Sequence, residues 1–301
     1  MSQSVQPVGE REAGLAVRKH PQRQWRQFFK RFARNKLAVI GGVIFGGLVL
    51  ISIIAPWITT HDPLYQDYSS VLKPPGGGHL LGTDDLGRDT FSRLLYGARL
   101  SLEASVVSVG IAMLIGVPLG LISGYFRGFW DEWVVMRVVD AMQAFPSIIL
   151  AMAMAAALGG GFTNVIVAIG IGFFPAFVRI TRAQVLTVRS LEYVQAAEAI
   201  GARNLRIMFL HVLPNVMGPL LVQTTLTMAA AIIAEAGLSY LGLGARPEQP
   251  SWGTMLKIAQ GYLNTDPLLA LWPGIAIFLV VLGFNLLGDG IREVLDPKLK
   301  R

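Results

Sequence analysis

The chain has 301 residues, 53% of them hydrophobic and only 15% charged, with a formal net charge of +7. Soluble domains carry about 25% charged residues, so a soluble globular fold is excluded and an all-α, polytopic membrane protein is expected. The absence of cysteine excludes disulfides, thiolate catalysis and cysteine metal sites.

Residues 1–36 form a basic head. Nine Lys and Arg residues lie between Arg11 and Lys36, opposed only by Glu10 and Glu12. Such a flank fixes a neighbouring span on the cytoplasmic side. Trp25, Phe28, Phe29 and Phe32 are interleaved with the cations, which suits a contact with anionic lipid. The positive charge is therefore assigned to membrane lipid, with no nucleic acid as partner. The head is too long and polar for a cleaved signal peptide, so the apolar run after it is expected to remain as an anchor.

A spanning helix needs about 20 mostly apolar residues. The expected spans are Leu37–Ile58, Leu100–Tyr125, Val134–Leu158, Asn164–Arg179, Val216–Tyr240 and Leu268–Leu287. Six spans place both termini on one side, and the Lys/Arg excess of the head, the Arg127 turn, the Arg179–Arg206 loop and the tail makes that side cytoplasmic. The expected organisation is a cytoplasmic segment 1–36, a first span 37–58, an extracytoplasmic loop 59–99, a core 100–290 with five spans, and a cytoplasmic tail 291–301.

The 59–99 loop holds His79-Leu-Leu-Gly82-Thr83-Asp84-Asp85-Leu-Gly87-Arg88-Asp89. Gly82 and Gly87 mark turns, and Thr83 or Asp84 is placed to cap a helix carrying Arg88 and Arg99. In the second span Gly116, Gly120 and Gly124 are spaced for close helix contact, as are Gly42 and Gly46 in the first. Arg137 and Asp140 are expected to pair with each other or with headgroups, and Arg99 with Glu103. The four histidines show no ligand spacing, so no metal site is expected. Glu235, in the fifth span, is the one carboxylate near membrane depth, suited either to a substrate path or to a structural hydrogen bond.

Between the fourth and fifth spans lies Tyr193-Val-Gln195-Ala196-Ala197-Glu198-Ala-Ile-Gly201, continuing to His211-Val-Leu213-Pro214. Tyr193, Val194, Ala197 and Ile200 recur at helical spacing, and Gly201 stands where a left-handed C-cap residue belongs. A second short helix is expected from about Asn204 until Pro214 ends it or opens the next element.

This stretch resembles the cytoplasmic loop of ABC importer permeases, which carries Glu-Ala-Ala, three residues, Gly, nine residues and Ile-x-Leu-Pro. Gln195 and His211 depart from that frame by standing where it has Glu and Ile. The 79–89 string, Leu241-Gly-Leu-Gly with Pro250-Ser-Trp-Gly, and Phe284-Asn-Leu-Leu-Gly-Asp-Gly-Ile-Arg with Leu295-Asp-Pro are similar to the dipeptide and oligopeptide permeases of that family. The resemblance implies a bacterial inner-membrane permease forming half of a pore. It also implies four partners: a second homologous permease, two cytoplasmic ATP-binding subunits and an extracytoplasmic solute-binding protein. Tyr193, Gln195, Ala196, Ala197, Gly201, His211, Leu213 and Pro214 would then form the ATPase-coupling motif, with Glu235 as the candidate for the translocation path. No Gly-x-x-x-x-Gly-Lys-Ser/Thr is present, so ATP and Mg are expected on the ATPase partners, with no cofactor or enzyme activity on this chain. An ion-gradient transporter, or a permease of the same family for glutathione, nickel chelates or sugars, stands as the alternative.

Overall fold

A computed structural model describes residues 30–295. The basic head up to residue 29 and the tail from residue 296 lie outside the described residues. The helices are α1 (Lys36–Ile58), α2 (Thr90–Tyr125), α3 (Met136–Gln143), α4 (Ser147–Ala157), α5 (Phe162–Arg189), α6 (Glu192–Ala199), α7 (Asn204–Ile207), α8 (Leu213–Tyr240), α9 (Trp252–Gln260) and α10 (Leu268–Leu295). Wider π turns at Trp130–Val135 and Met208–Val212 lead into α3 and α8. Extended pairing among the described residues is limited to isolated bridges in the loop before α2. By length and composition five helices can cross a membrane: α1, α2, α5, Asn204–Tyr240 and α10.

The expected third span, Val134–Leu158, is sharply bent in the structure. Trp130–Gln143 and Ser147–Ala157 are bent by 93° against each other and make a sixth crossing only if taken together. Pro146 causes the elbow, because it has no N–H to give to Met142 and disfavours helical backbone at Phe145. Asp140, Gln143 and Ser147 flank this point, so the strongly apolar part of the run begins only after the bend.

The second helix starts at Thr90, ten residues before the expected limit. Its cap is Asp89, whose carboxylate accepts the Ser92 N–H at 2.8 Å, and not Thr83 or Asp84. Asp84 instead closes the preceding turn through Leu86 N–H at 3.0 Å and Arg88 N–H at 2.9 Å. Arg88 therefore precedes the helix. It and Arg93 are nearly fully buried, both donating to the Pro247 carbonyl while gripping Asp84. The string before α2 thus forms a cap tied to the 241–252 segment. Within that cap Asp67 accepts Ser69 and Ser70, which lowers its pKa to about 2. Burial, and then the adjacent Asp84 charge, raise that of Asp85.

The glycine steps of α2 face α5. A Cβ at Gly116 would meet Phe177, one at Gly120 would meet Thr181, and one at Gly124 would meet Val185, at 2.6, 2.6 and 2.8 Å. Both helices advance four residues per contact in the same sense, so α2 and α5 run parallel with their backbones nearly touching. The packing lies within one chain. In α1 the close approach is made by Gly41, against Leu287 and Gly283 of α10, whereas Gly46 meets nothing and Gly42 only the Phe32 ring. Gly120→Leu is expected to destabilise the fold by about 3 kcal/mol, because neither the Thr181 Cβ nor the Val178 carbonyl can move aside cheaply. Gly110→Ala, in open space on the same helix, is expected to be neutral. Denaturant unfolding of the two variants in detergent checks this.

The bundle has two ends. One carries the Asp89 cap, with Gly161 N–H bonded to Leu243 O at 2.8 Å and Trp252 Nε1 to Leu94 O at 3.0 Å. The other carries Tyr125, Arg189 and Asn204. Asn35 and Glu293, 2.5 Å apart, join the start of α1 to the end of α10, and Leu295 approaches Gly218 near the start of α8.

Candidate functional site

The second end of the bundle is occupied by a wedge, Leu191–Pro214. α6 ends in a Schellman turn. Gly201 has φ +80°, its N–H bonds to Glu198 O at 3.0 Å, and the Ala202 N–H reaches back to Ala197 O at 3.1 Å. A Cβ on Gly201 would meet nothing within 4 Å, so it is the backbone angle that demands glycine. α7 does not stop at Pro214. It passes through the π turn into α8, giving one helix over Asn204–Tyr240. Pro214 has no N–H for Leu210, and the wider turn just before it absorbs that loss.

One face of the wedge belongs to the core. Val194, Ile207 and Val212 are fully buried, in one apolar cluster with Val185 and Val188 of α5. The other face shows apolar side chains to the outside: Tyr193, Leu205, Phe209 and Leu210 are more than 40% exposed and Ile200 is 85% exposed. Gln195 and Ala196 lie on this exposed side, while Ala197 is buried. The two halves are sewn together by Asn215, which donates to Tyr193 Oη at 3.1 Å and to the His211 carbonyl at 2.7 Å. Burial raises the Tyr193 pKa, so the phenol stays a neutral acceptor. Leu213 is half-buried and Pro214 exposed.

A polar latch ties the wedge to two long helices. Tyr125, the last residue of α2, places its hydroxyl 3.2 Å from Asn204 Oδ1 and 3.5 Å from Glu198 Oε1. Arg189, the last residue of α5, reaches Glu198 at 3.3 Å, donates to the Tyr125 carbonyl at 2.6 Å and lies over the Tyr125 ring. Arg189 and Glu198 are both about one-third exposed, so the pair contributes only about 0–1 kcal/mol. Its value is positional, because it fixes α6 against α2 and α5 together.

A stronger pair holds the elbow. Arg182 of α5 donates twice to the fully buried Asp131, at 2.8 and 2.6 Å, and Ser123 donates a third, short bond to it. The expected Arg137–Asp140 pair is not formed. Asp140 pairs with Arg179 at 2.6 Å, and Arg137 lies over the Trp133 ring. Beside the elbow opens a cleft of about 560 Å³, lined by Met142, Pro146, Phe173, Arg179, Gln223 and Thr227 among others. Glu235 does not reach it. It is fully enclosed near the end of α8, where its Oε1 accepts the Ser239 hydroxyl at 2.7 Å and Ser239 in turn accepts the Ala245 N–H.

Residues 116–301 match the family profile described as "Binding-protein-dependent transport system inner membrane component". The chain belongs to that family. Residues 23–75 also match the N-terminal transmembrane domain of oligopeptide transport permease C. As a member of the inner membrane component family, the chain is a multi-pass protein of the inner membrane. It is 45% identical to the dipeptide transport system permease DppC of Alkalihalophilus pseudofirmus, over 92% of this chain and 90% of that protein. It is 44% identical to the glutathione transport system permease GsiD of Pectobacterium atrosepticum, over 92% of each. A di/tripeptide permease DppC of Pseudomonas aeruginosa is 46% identical over 91% of this chain and 92% of its own length. The fold is shared with inward-facing structures of the MetNI methionine ABC transporter. One aligns with a TM-score of 0.58 at 20% identity, over 68% of this chain and 97% of the other.

Sequence reasoning singled out the wedge but missed Tyr125, Arg189 and the Asp131–Arg182 pair. The glycine steps hold the missing signal. Gly124 set against Val185 brings the end of α2 to the end of α5, and so Tyr125 to Arg189.

Proposed function

We propose that this chain is the permease subunit of an ATP-driven ABC importer of dipeptides and oligopeptides. It forms half of the pore with a second homologous permease. Two separate ATP-binding subunits hold ATP and Mg, and a solute-binding protein delivers substrate; the chain itself carries out no covalent chemistry. The observation that carries this reading is the wedge, whose core-facing side is packed while Ile200, Leu205, Phe209 and Leu210 remain uncovered. An apolar patch of this kind marks a docking site. The ATPases would seat there, placing the wedge end in the cytoplasm with both chain termini, as the Lys/Arg excess supports.

Movement of the ATPases on ATP binding would reach the pore through two connections. Asn204–Tyr240 is continuous, so a push on α7 is a push on α8. The Tyr125–Arg189–Glu198 latch carries the same displacement to α2 and α5. The open elbow cleft is this chain's share of the path, and Arg179 and Gln223 offer donors for peptide carboxylate and amide groups. Glu235, enclosed within the chain, serves the folding of the α8 terminus. Glutathione, a peptide with the same donor and acceptor groups, is the second substrate to test, because relatives of equal identity are glutathione permeases.

The test is uptake into proteoliposomes holding both permeases and the ATPases, with the binding protein added. Labelled dipeptide is expected to enter only with ATP. Entry driven by an imposed proton gradient without ATP would contradict the reading.

A further inference from the structure

The loop between α1 and α2 brings together three groups that are far apart in sequence. His61 follows α1, His79 closes a glycine-rich turn, and Asp89 caps α2. Their ligand atoms lie within 4.8 Å of one another. His79 Nδ1 is 2.9 Å and His61 Nδ1 3.8 Å from the same Asp89 oxygen, Oδ1. The two rings stack at 4.7 Å with planes 29° apart.

We propose that His61, His79 and Asp89 form a binding site for a divalent transition metal of the zinc class. Zinc is bound at about 2.0–2.2 Å by imidazole nitrogen and carboxylate oxygen, which sets neighbouring tetrahedral ligands roughly 3.3 Å apart. The separations of 2.9 and 3.8 Å bracket that value, so small side-chain rotations bring all three to one ion. Two imidazole nitrogens converge on one carboxylate oxygen, and only one of them is close enough to bond it directly. One N–H satisfies Oδ1 at 2.9 Å, while His61 Nδ1, 3.8 Å from that oxygen, takes only the hydroxyl of the neighbouring Thr60 at 3.0 Å, which an arriving ion would displace. A dication accepts both lone pairs at once.

The surroundings are those of a ligand set. Asp89 is fully buried, and its other oxygen is held by the Ser92 N–H at 2.8 Å, which orients the carboxylate as outer-shell partners do. His61 is held by its backbone N–H to Ser92 Oγ at 3.2 Å. A cleft of about 530 Å³, lined by Pro56, His61, Tyr96 and Pro250, opens beside His61 and leaves room for entry and for a water as fourth ligand. With three protein ligands, imidazole selects zinc, copper or nickel over magnesium or calcium. The bound ion would clamp the end of α1, the glycine turn and the start of α2 into one unit. This proposal is independent of the importer reading.

The experiment uses the full chain, assembled with its partner subunits in lipid nanodiscs and carrying no polyhistidine tag. After chelation it is titrated with Zn²⁺, and with Co²⁺ as an absorbance probe of tetrahedral ligation. One equivalent per chain is expected. His61→Gln and His79→Gln should each weaken binding at least about tenfold. Zn²⁺ should raise the melting temperature of the unsubstituted chain and not that of His61→Gln, which is partly exposed and keeps its fold. Absence of saturable binding, or equal binding by the His61→Gln/His79→Gln chain, would overturn the proposal.

Discussion

Gly201→Val is expected to abolish ATP-driven uptake while the chain still inserts and folds. At φ +80° a β-branched residue is strained by about 1–2 kcal/mol. The site is open, so no steric clash spreads into the bundle. The strain is relieved by rotating the backbone out of the left-handed region, which breaks the Ala202–Ala197 and Gly201–Glu198 bonds and re-aims α7 against α6. The two halves of the docking surface then no longer share one geometry. Gly201→Pro acts in the same direction, since it also removes the N–H that reaches Glu198. Gly201→Asn, which tolerates left-handed backbone, should retain most of the transport. Uptake in proteoliposomes, paired with melting curves of the same preparations, separates a coupling defect from a folding defect. Normal uptake by Gly201→Val would refute the role given to the turn.

Removing one partner of the elbow pair is the second large effect. Asp131→Ala leaves the Arg182 guanidinium without either of its two carboxylate contacts, and Arg182→Ala leaves a fully buried carboxylate. Each is expected to cost about 3–5 kcal/mol, mostly from the uncompensated charge that remains. Asp131→Leu combined with Arg182→Met removes both charges and should recover most of that loss. Denaturant unfolding in detergent of Asp131→Ala, Arg182→Ala and the Asp131→Ala/Arg182→Ala chain forms a double-mutant cycle. A coupling below about 1 kcal/mol would mean that the elbow is held by its apolar contacts alone.

How much of this was legible depends on the kind of interaction. Membrane class followed from composition, and the ends of spans marked by polar residues were placed closely: α1 ends at Ile58, α2 at Tyr125 and α8 at Tyr240. Hydropathy failed where charge and helix coexist. α5 runs past Arg179 to Arg189 because Thr181, Val185 and Val188 keep a buried stripe going after the apolar run has ended. At Pro146 the residue type marks a break, but the size of the bend, 93°, is not written in hydropathy.

Within the wedge, Gly201 was readable because a local backbone requirement leaves a local mark. The latch was not, since Tyr125 and Asn204 are 79 positions apart and meet only through the parallel packing of α2 and α5. The histidine pair was missed for the same reason. His61 and His79 have no ligand spacing in sequence and are stacked only because the cap folds back on the start of α2.

The central claim is that the ATPases dock on the Leu191–Pro214 wedge, and the lack of cysteine allows it to be tested directly. Ile200→Cys, at the most exposed apolar position of the wedge, is assembled with single-cysteine ATPases and cross-linked in transport-competent vesicles. Leu64→Cys, also exposed but at the opposite end of the bundle, serves as the control. The Ile200→Cys chain is expected to join the ATPase with a yield that changes on ATP binding, and the Leu64→Cys chain to give no such product. ATP-driven uptake with no Ile200→Cys adduct, or with an ATPase adduct at Leu64→Cys, would contradict the account.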